Sequence, residues 1–139
     1  MSGLQEMVEV KRWEEPGYQP LILSNGWQVA ILNYISPLAP ENLELMERHN
    51  KTDEVFVLVR GRAWLLLAPK GDEVGDIEIV EMEKHVVYSV LAGVWHGVVA
   101  SEDACWIIVE NRDTHLVDVE RRSIPEEQRQ RIKSRWIES

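Results

Sequence analysis

The feature that most constrains this chain is a succession of short β-rich runs, broken by turn-forming residues at nearly even intervals between Leu21 and Asn111. Leu21–Ser24 and Trp27–Ile35 flank Asn25-Gly26. Asn-Gly readily supplies the two positive φ angles of a type I′ turn, so this stretch reads as a hairpin. Ser36–Pro40 ends the second run, because proline cannot donate to a ladder. Leu43–His49, the polar turn Asn50–Asp53, Glu54–Val59, Gly61 and Ala63–Ala68 follow. Beyond the surface turn Pro69–Gly75 come Asp76–Met82, His85–Leu91, Val94–Ala100 and Cys105–Asn111. Helical spacing is almost absent until the C-terminus. Many short strands at even spacing predict an all-β antiparallel barrel or sandwich.

Val55 to Val59 and Trp106 to Val109 are apolar at successive positions, so both faces of those strands need cover. One face fills the barrel, and the other meets a second layer or a partner subunit. A homodimer is therefore expected. The C-terminus reads differently. Ser123 with Glu126 has the spacing of a capping box, and Pro125 sits in the first turn. A helix over about residues 124–136 is expected, laying Ile132 and Trp136 on the barrel wall. Residues 1–139 form one domain on this reading, with the β core over about 20–112.

Charge narrows the partners. With 15 basic and 24 acidic residues the net charge is −9, which repels phosphate backbones and anionic lipid. No nucleic-acid or membrane partner is expected. Cys105 is the only cysteine, so an intrachain disulfide is impossible. The opening MSGLQEMVEVKRW has neither the basic end nor the apolar run of a signal peptide. No apolar stretch approaches the roughly 20 residues that span a bilayer. A cytoplasmic protein is expected.

Two constellations carry chemistry. Glu47 and His49 are two apart, so on a strand they share a face. The turn at Asn50–Asp53 reverses the chain and returns Glu54 at the start of the next strand. Imidazole and carboxylate from neighbouring strands then converge, a donor set that suits a divalent cation. The second constellation is LAGVWHGV, Leu91 to Val98, where Gly93 permits a tight turn and His96 lies just inside the following strand. His85 and His115 belong to neither and read as structural or surface residues. Of the six tryptophans, Trp95 alternates away from His96 and packs outside the barrel, while Trp64 and Trp106 read as core. A cationic clamp is hard to find: Arg48 faces away from Glu47 and His49, and Arg60 lies about 20 Å from Glu54 at roughly 3.3 Å per residue.

These residues resemble the cupin superfamily. Its first motif pairs two histidines around one residue, then a glutamate, then a glycine seven residues further on. Glu47, His49, Glu54 and Gly61 match it, with Glu47 in the first histidine position. The second motif, Pro-x-Gly-x-x-His, is matched by Leu91, Gly93 and His96, with leucine for proline. The resemblance implies an antiparallel cupin β-barrel (a double-stranded β-helix or jelly roll). It also implies a metal held by His49, Glu54 and His96, with Glu47 as a fourth ligand. The ion would be Fe, Mn, Zn or Ni. Glu47 keeps two readings, ligand or general base.

A narrower similarity, over about Glu47 to Asp113, is to the ureidoglycolate lyase family, cupin-fold enzymes that split ureidoglycolate into glyoxylate and urea. It implies a metal-assisted lyase on a small polar carboxylate, with Glu47 as base and His96 or a metal-bound water as acid. The chain departs from that family at the site, with Glu54 in place of an amide and Gly97 in place of a histidine. The alternative is a cupin without metal that binds a small ligand, or serves a structural role, without turnover.

Overall fold

The computed structural model describes residues 3–139. Ten strands run in chain order: β1 (Gly17–Leu23), β2 (Trp27–Asn33), β3 (Leu45–Arg48), β4 (Glu54–Arg60), β5 (Ala63–Ala68), β6 (Glu78–Glu81), β7 (Val87–Val90), β8 (Trp95–Ala100), β9 (Cys105–Asn111) and β10 (Glu120–Ser123). A single-turn helix α1 (Thr114–Val117) precedes β10, and α2 (Glu126–Glu138) closes the chain. The strands form two five-stranded sheets, ordered β1-β2-β9-β4-β7 and β10-β3-β8-β5-β6, in which every pairing is antiparallel. The sequence crosses repeatedly from one sheet to the other, which is the wrapping of a double-stranded β-helix.

Strand alternation builds the interior. Phe56 and Leu58 of β4, Trp106 and Ile108 of β9, Ala30 and Leu32 of β2, and Val98 of β8 meet as one buried cluster between the sheets. Successive strand residues face opposite sides. The intervening positions of β5 and β8 therefore point outward from the second sheet, where Trp64, Leu66, Trp95 and Val99 form a second cluster with Ile132. Helix α2 covers this face. Ile132 is fully buried, and the Trp136 ring meets Trp64 edge-on at 4.9 Å between centroids.

Three local expectations need correcting. Of the pair Asn25-Gly26, only Gly26 takes a positive φ, +100°, so the β1–β2 turn is not type I′. The capping box does not form, because Ser123 is held in β10 opposite Leu45. Pro125 caps α2 without a side-chain hydrogen bond, and the helix runs Glu126–Glu138 rather than 124–136. Strand β10 carries no sequence signal: ERRS has no apolar alternation, and it joins its sheet through β3. At the β4–β5 turn Gly61 takes φ +82°, and a Cβ there would lie 2.7 Å from the Ala104 Cα. That close approach is the physical demand behind the glycine of the first motif.

Candidate metal centre

The first constellation is assembled as its spacing predicts. Glu47 on β3 stands opposite His96 on β8, and His49 follows β3 while Glu54 opens β4. Glu54 Oε1 lies 2.9 Å from His49 Nε2 and 2.9 Å from His96 Nε2. All three side chains are less than a tenth exposed. The turn between His49 and Glu54 is pinned from outside, where Asp118 accepts the backbone N–H groups of Asn50 and Lys51 at 3.0 and 2.9 Å. Gly93 N–H donates to the His49 carbonyl at 2.7 Å, which ties the second motif to the first.

Partners settle how His49 is presented. Its Nδ1 lies 2.6 Å from the Asp118 carbonyl, so Nδ1 carries a hydrogen and donates it. Nε2 is left to face Glu54. A histidine oriented through one nitrogen, with the other aimed into a site, is the usual arrangement of a metal ligand. Burial alone would depress the His49 pKa, but the hydrogen bond and charge of Glu54 outweigh it and raise it to about 9. Burial likewise opposes ionisation of Glu54, yet the two imidazole hydrogen bonds bring that carboxyl down to about 2. The pair is a buried imidazolium–carboxylate contact whose Nε2 proton occupies the place of a cation.

The donor set fits a divalent metal. Glu47, His49 and His96 offer ligand atoms within 4.8 Å of one another, and so do His49, Glu54 and Glu110. Neighbouring ligands of an octahedral ion with bonds of about 2.1 Å stand about 3 Å apart. The two 2.9 Å separations at Glu54 Oε1 match that spacing. Imidazole with carboxylate is the donor chemistry of iron, manganese and their neighbours.

Glu110 lies outside both sequence motifs. Its signal is nonetheless present: in CWIIVEN it is in phase with Trp106 and Ile108, so an acid falls on the face that fills the barrel. Its Oε1 accepts from the Tyr18 hydroxyl at 2.7 Å and from Gln28 Nε2 at 3.4 Å. Burial, then the charge of Glu54, push its carboxyl up to about 7. Burial and the Glu110 contact drive the Tyr18 phenol well above its ordinary range, so it remains a donor. His115, read from sequence as structural or surface, instead lines the cavity, with Nδ1 3.2 Å from Gln28 Nε2 and its ring 5.1 Å from Tyr18. His85 is exposed, at φ 67°.

The cluster opens into a cavity of about 520 Å³, walled on its apolar side by residues such as Leu32, Leu38, Phe56 and Ile108. The cation that spacing alone could not find is at its edge. Arg121 of β10 pairs in register with Glu47, its Nε 3.4 Å from Glu47 Oε2, and lines the cavity. Arg48 points outward as expected, its guanidinium 4.3 Å over the Trp95 ring, and Arg60 donates to the Asp103 carbonyl.

Two facing antiparallel sheets wound as a double-stranded β-helix define the cupin fold. In fold this chain is a cupin. No protein-family model matches the sequence, and no curated protein matches it either. Solved structures match well beyond sequence similarity. A Streptomyces PAC13 variant with uridine is 11% identical, with 85% of this chain and 88% of that one covered at a TM-score of 0.55. An RmlC-like cupin family protein with a double-stranded β-helix fold from Methanocaldococcus jannaschii is 11% identical, with 78% and 94% covered at 0.53. KdgF from Halomonas sp. is 17% identical, with 76% and 91% covered at 0.51. The likeness is one of fold and gives no support to the narrower resemblance to ureidoglycolate lyase.

Proposed function

We propose that the protein is a metal-assisted enzyme of the lyase type acting on a small, polar, carboxylate-bearing molecule. The observation that carries this reading is the buried His49–Glu54–His96 contact lining a cavity large enough for such a ligand. His49, Glu54 and His96 would hold the ion. Once bound, a divalent ion supplies Lewis acidity toward a chelating carboxylate and hydroxyl. Arg121 meets the ligand's carboxylate at the mouth, exchanging its contact with Glu47. Glu47, half-buried and thereby released, takes the hydroxyl proton as the carbon–nitrogen bond of a carbinolamine breaks and the carbonyl forms. The sequence-based choice of acid, His96, has Nε2 against Glu54 and Nδ1 3.3 Å from the Val94 carbonyl. We therefore give it the role of holding the ion and assign proton delivery to the leaving nitrogen to His115, which is 28% exposed.

The test begins with metal content in protein purified without added metal or a metal-binding tag. Wild type should carry or take up a stoichiometric divalent ion, and His49→Ala or His96→Ala should abolish it. The loaded protein, given ureidoglycolate and related 2-hydroxy carboxylates, should release a carbonyl product, and Glu47→Gln should lose turnover while keeping the ion. A ligand-binding cupin without metal is favoured by one observation, that Glu54 alone satisfies both Nε2 atoms. Wild type free of metal in every preparation selects that reading.

We also propose a homodimer. The outward positions of the first sheet are apolar across its strands (Val29 and Ile31, Ile107 and Val109, Val55 and Val57, Val87), and most are only half-buried. Among the described residues no helix covers this face as α2 covers the other. A second copy supplies a matching apolar face. Among the described residues, too, no helix is long and apolar enough to cross a membrane.

A further inference from the structure

Two carboxylates stand directly opposite each other on neighbouring strands, Glu54 on β4 and Glu110 on β9, both facing the barrel interior. Their side chains are 7% and 1% exposed. Like charges directly opposed across a ladder destabilise it, and burial removes the water that would screen them. Such a juxtaposition calls for a proton or a cation between them.

The hydrogen-bond partners show where that charge belongs. Glu110 Oε1 is held by Tyr18 and Gln28, and Gln28 sits beside Glu110 in register on β2. Glu110 Oε2 is buried with no hydrogen-bond partner among the described residues. It lies 3.9 Å from His49 Nε2, within the ligand-sized group formed with His49 and Glu54. A buried carboxylate oxygen without a donor is costly to leave unpaired. Glu47 also stands in a ligand-sized group, with His49 and His96, but it differs in exposure and in having a partner. Its side chain is 37% exposed, and its carboxylate already has Arg121 as a partner.

We propose that the divalent cation of this site takes Glu110, and not Glu47, as its second carboxylate, alongside His49, Glu54 and His96. The inference rests on the reading that the site binds a metal. It moves the second carboxylate from β3 of one sheet to β9 of the facing sheet. Two carboxylates then neutralise the dication, a set suited to a hard ion such as Mn²⁺. Tyr18 and Gln28 become the groups that orient the ligand through its other oxygen. Glu47 is left free for proton transfer beside Arg121.

The experiment is calorimetric titration of metal-free protein with Mn²⁺, and separately with Co²⁺, for wild type, Glu110→Gln, Glu110→Asp and Glu47→Gln. Loss of an orienting partner lowers affinity about 10–100-fold, so loss of a ligand should reach at least the upper end of that range in Glu110→Gln. Glu47→Gln should stay within about threefold of wild type. Glu110→Asp should recover part of the loss, whereas a merely structural role would be served better by the isosteric amide. With chelator present, Glu110→Gln should melt at or above wild type, since it removes one of two opposed charges. Wild-type affinity in Glu110→Gln, or a larger loss in Glu47→Gln than in Glu110→Gln, overturns the assignment while the metal site stands. Failure of wild type to bind either ion overturns the assignment, and failure to bind Fe²⁺, Zn²⁺ and Ni²⁺ as well overturns the metal-enzyme reading with it.

Discussion

At the residue scale, the centre is a set of coupled charges whose balance shifts with pH. His49, raised to about 9 from an ordinary 6.5, adds stability that is complete below pH 6.5 and lost as pH rises through 9. Glu110, raised to about 7 from 4.5, has the same sign: its charging in the fold is resisted, and stability falls as pH rises from 4.5 through 7. Glu54, lowered to about 2, adds stability present above 4.5 and lost as pH falls through 2. The melting temperature of chelator-treated protein should therefore peak near pH 4.5–5 and decline steadily toward pH 9. Saturating Mn²⁺ should reverse that slope between about pH 6 and 9, because the ion replaces the Nε2 proton of His49 and binds better as that proton leaves. Melting curves with and without metal across that range check both signs, and a flat profile without metal would refute the coupling.

At the element scale, the second sheet owes its outer cover to α2. The helix is charged along most of its length, with two acids in its first turn and Arg135 in its last, in the sense that complements the helix dipole. Its hold on the barrel comes from Ile132 and Trp136, one turn apart. Ile132→Ala removes a fully buried side chain beneath the helix and should lower stability by about 2–5 kcal/mol, read from urea unfolding. An effect below about 1 kcal/mol would mean that α2 lies on the sheet without securing it. Strand β10 has the opposite character. It is an edge strand of charged residues, and its value lies in delivering Arg121 opposite Glu47.

At the scale of the whole molecule, the two sheets are treated unequally: one is roofed by α2 and the other presents a half-buried apolar face. The proposed dimer would cover this contiguous apolar surface. Light scattering at micromolar concentration should report a dimer. Ile107→Asp, on a central strand of that face, should give a folded monomer, since it places a charge where the partner would pack. A wild-type monomer under those conditions would remove the dimer from the account.

Some of this protein was legible in its sequence because the relevant physics is local. Strand alternation put His49, Glu54 and His96 on inward faces. The Asn50–Asp53 turn returned Glu54 toward His49, and Gly61 marked a turn that tolerates no Cβ. Ile132 and Trp136 announced a helix that needed a wall. What was missed depends on pairing between distant strands. Glu110 was readable as an acid in a core phase, but its place opposite Glu54 follows only from the β4–β9 register, which no spacing within either strand encodes. Arg121 lies in a polar stretch with no β pattern, so its meeting with Glu47 exists only once β10 docks on β3. Ser123 carried a sound local signal for a helix cap, and the β10–β3 ladder overruled it. Local periodicity decided which residues face the interior; long-range registry decided which of them meet.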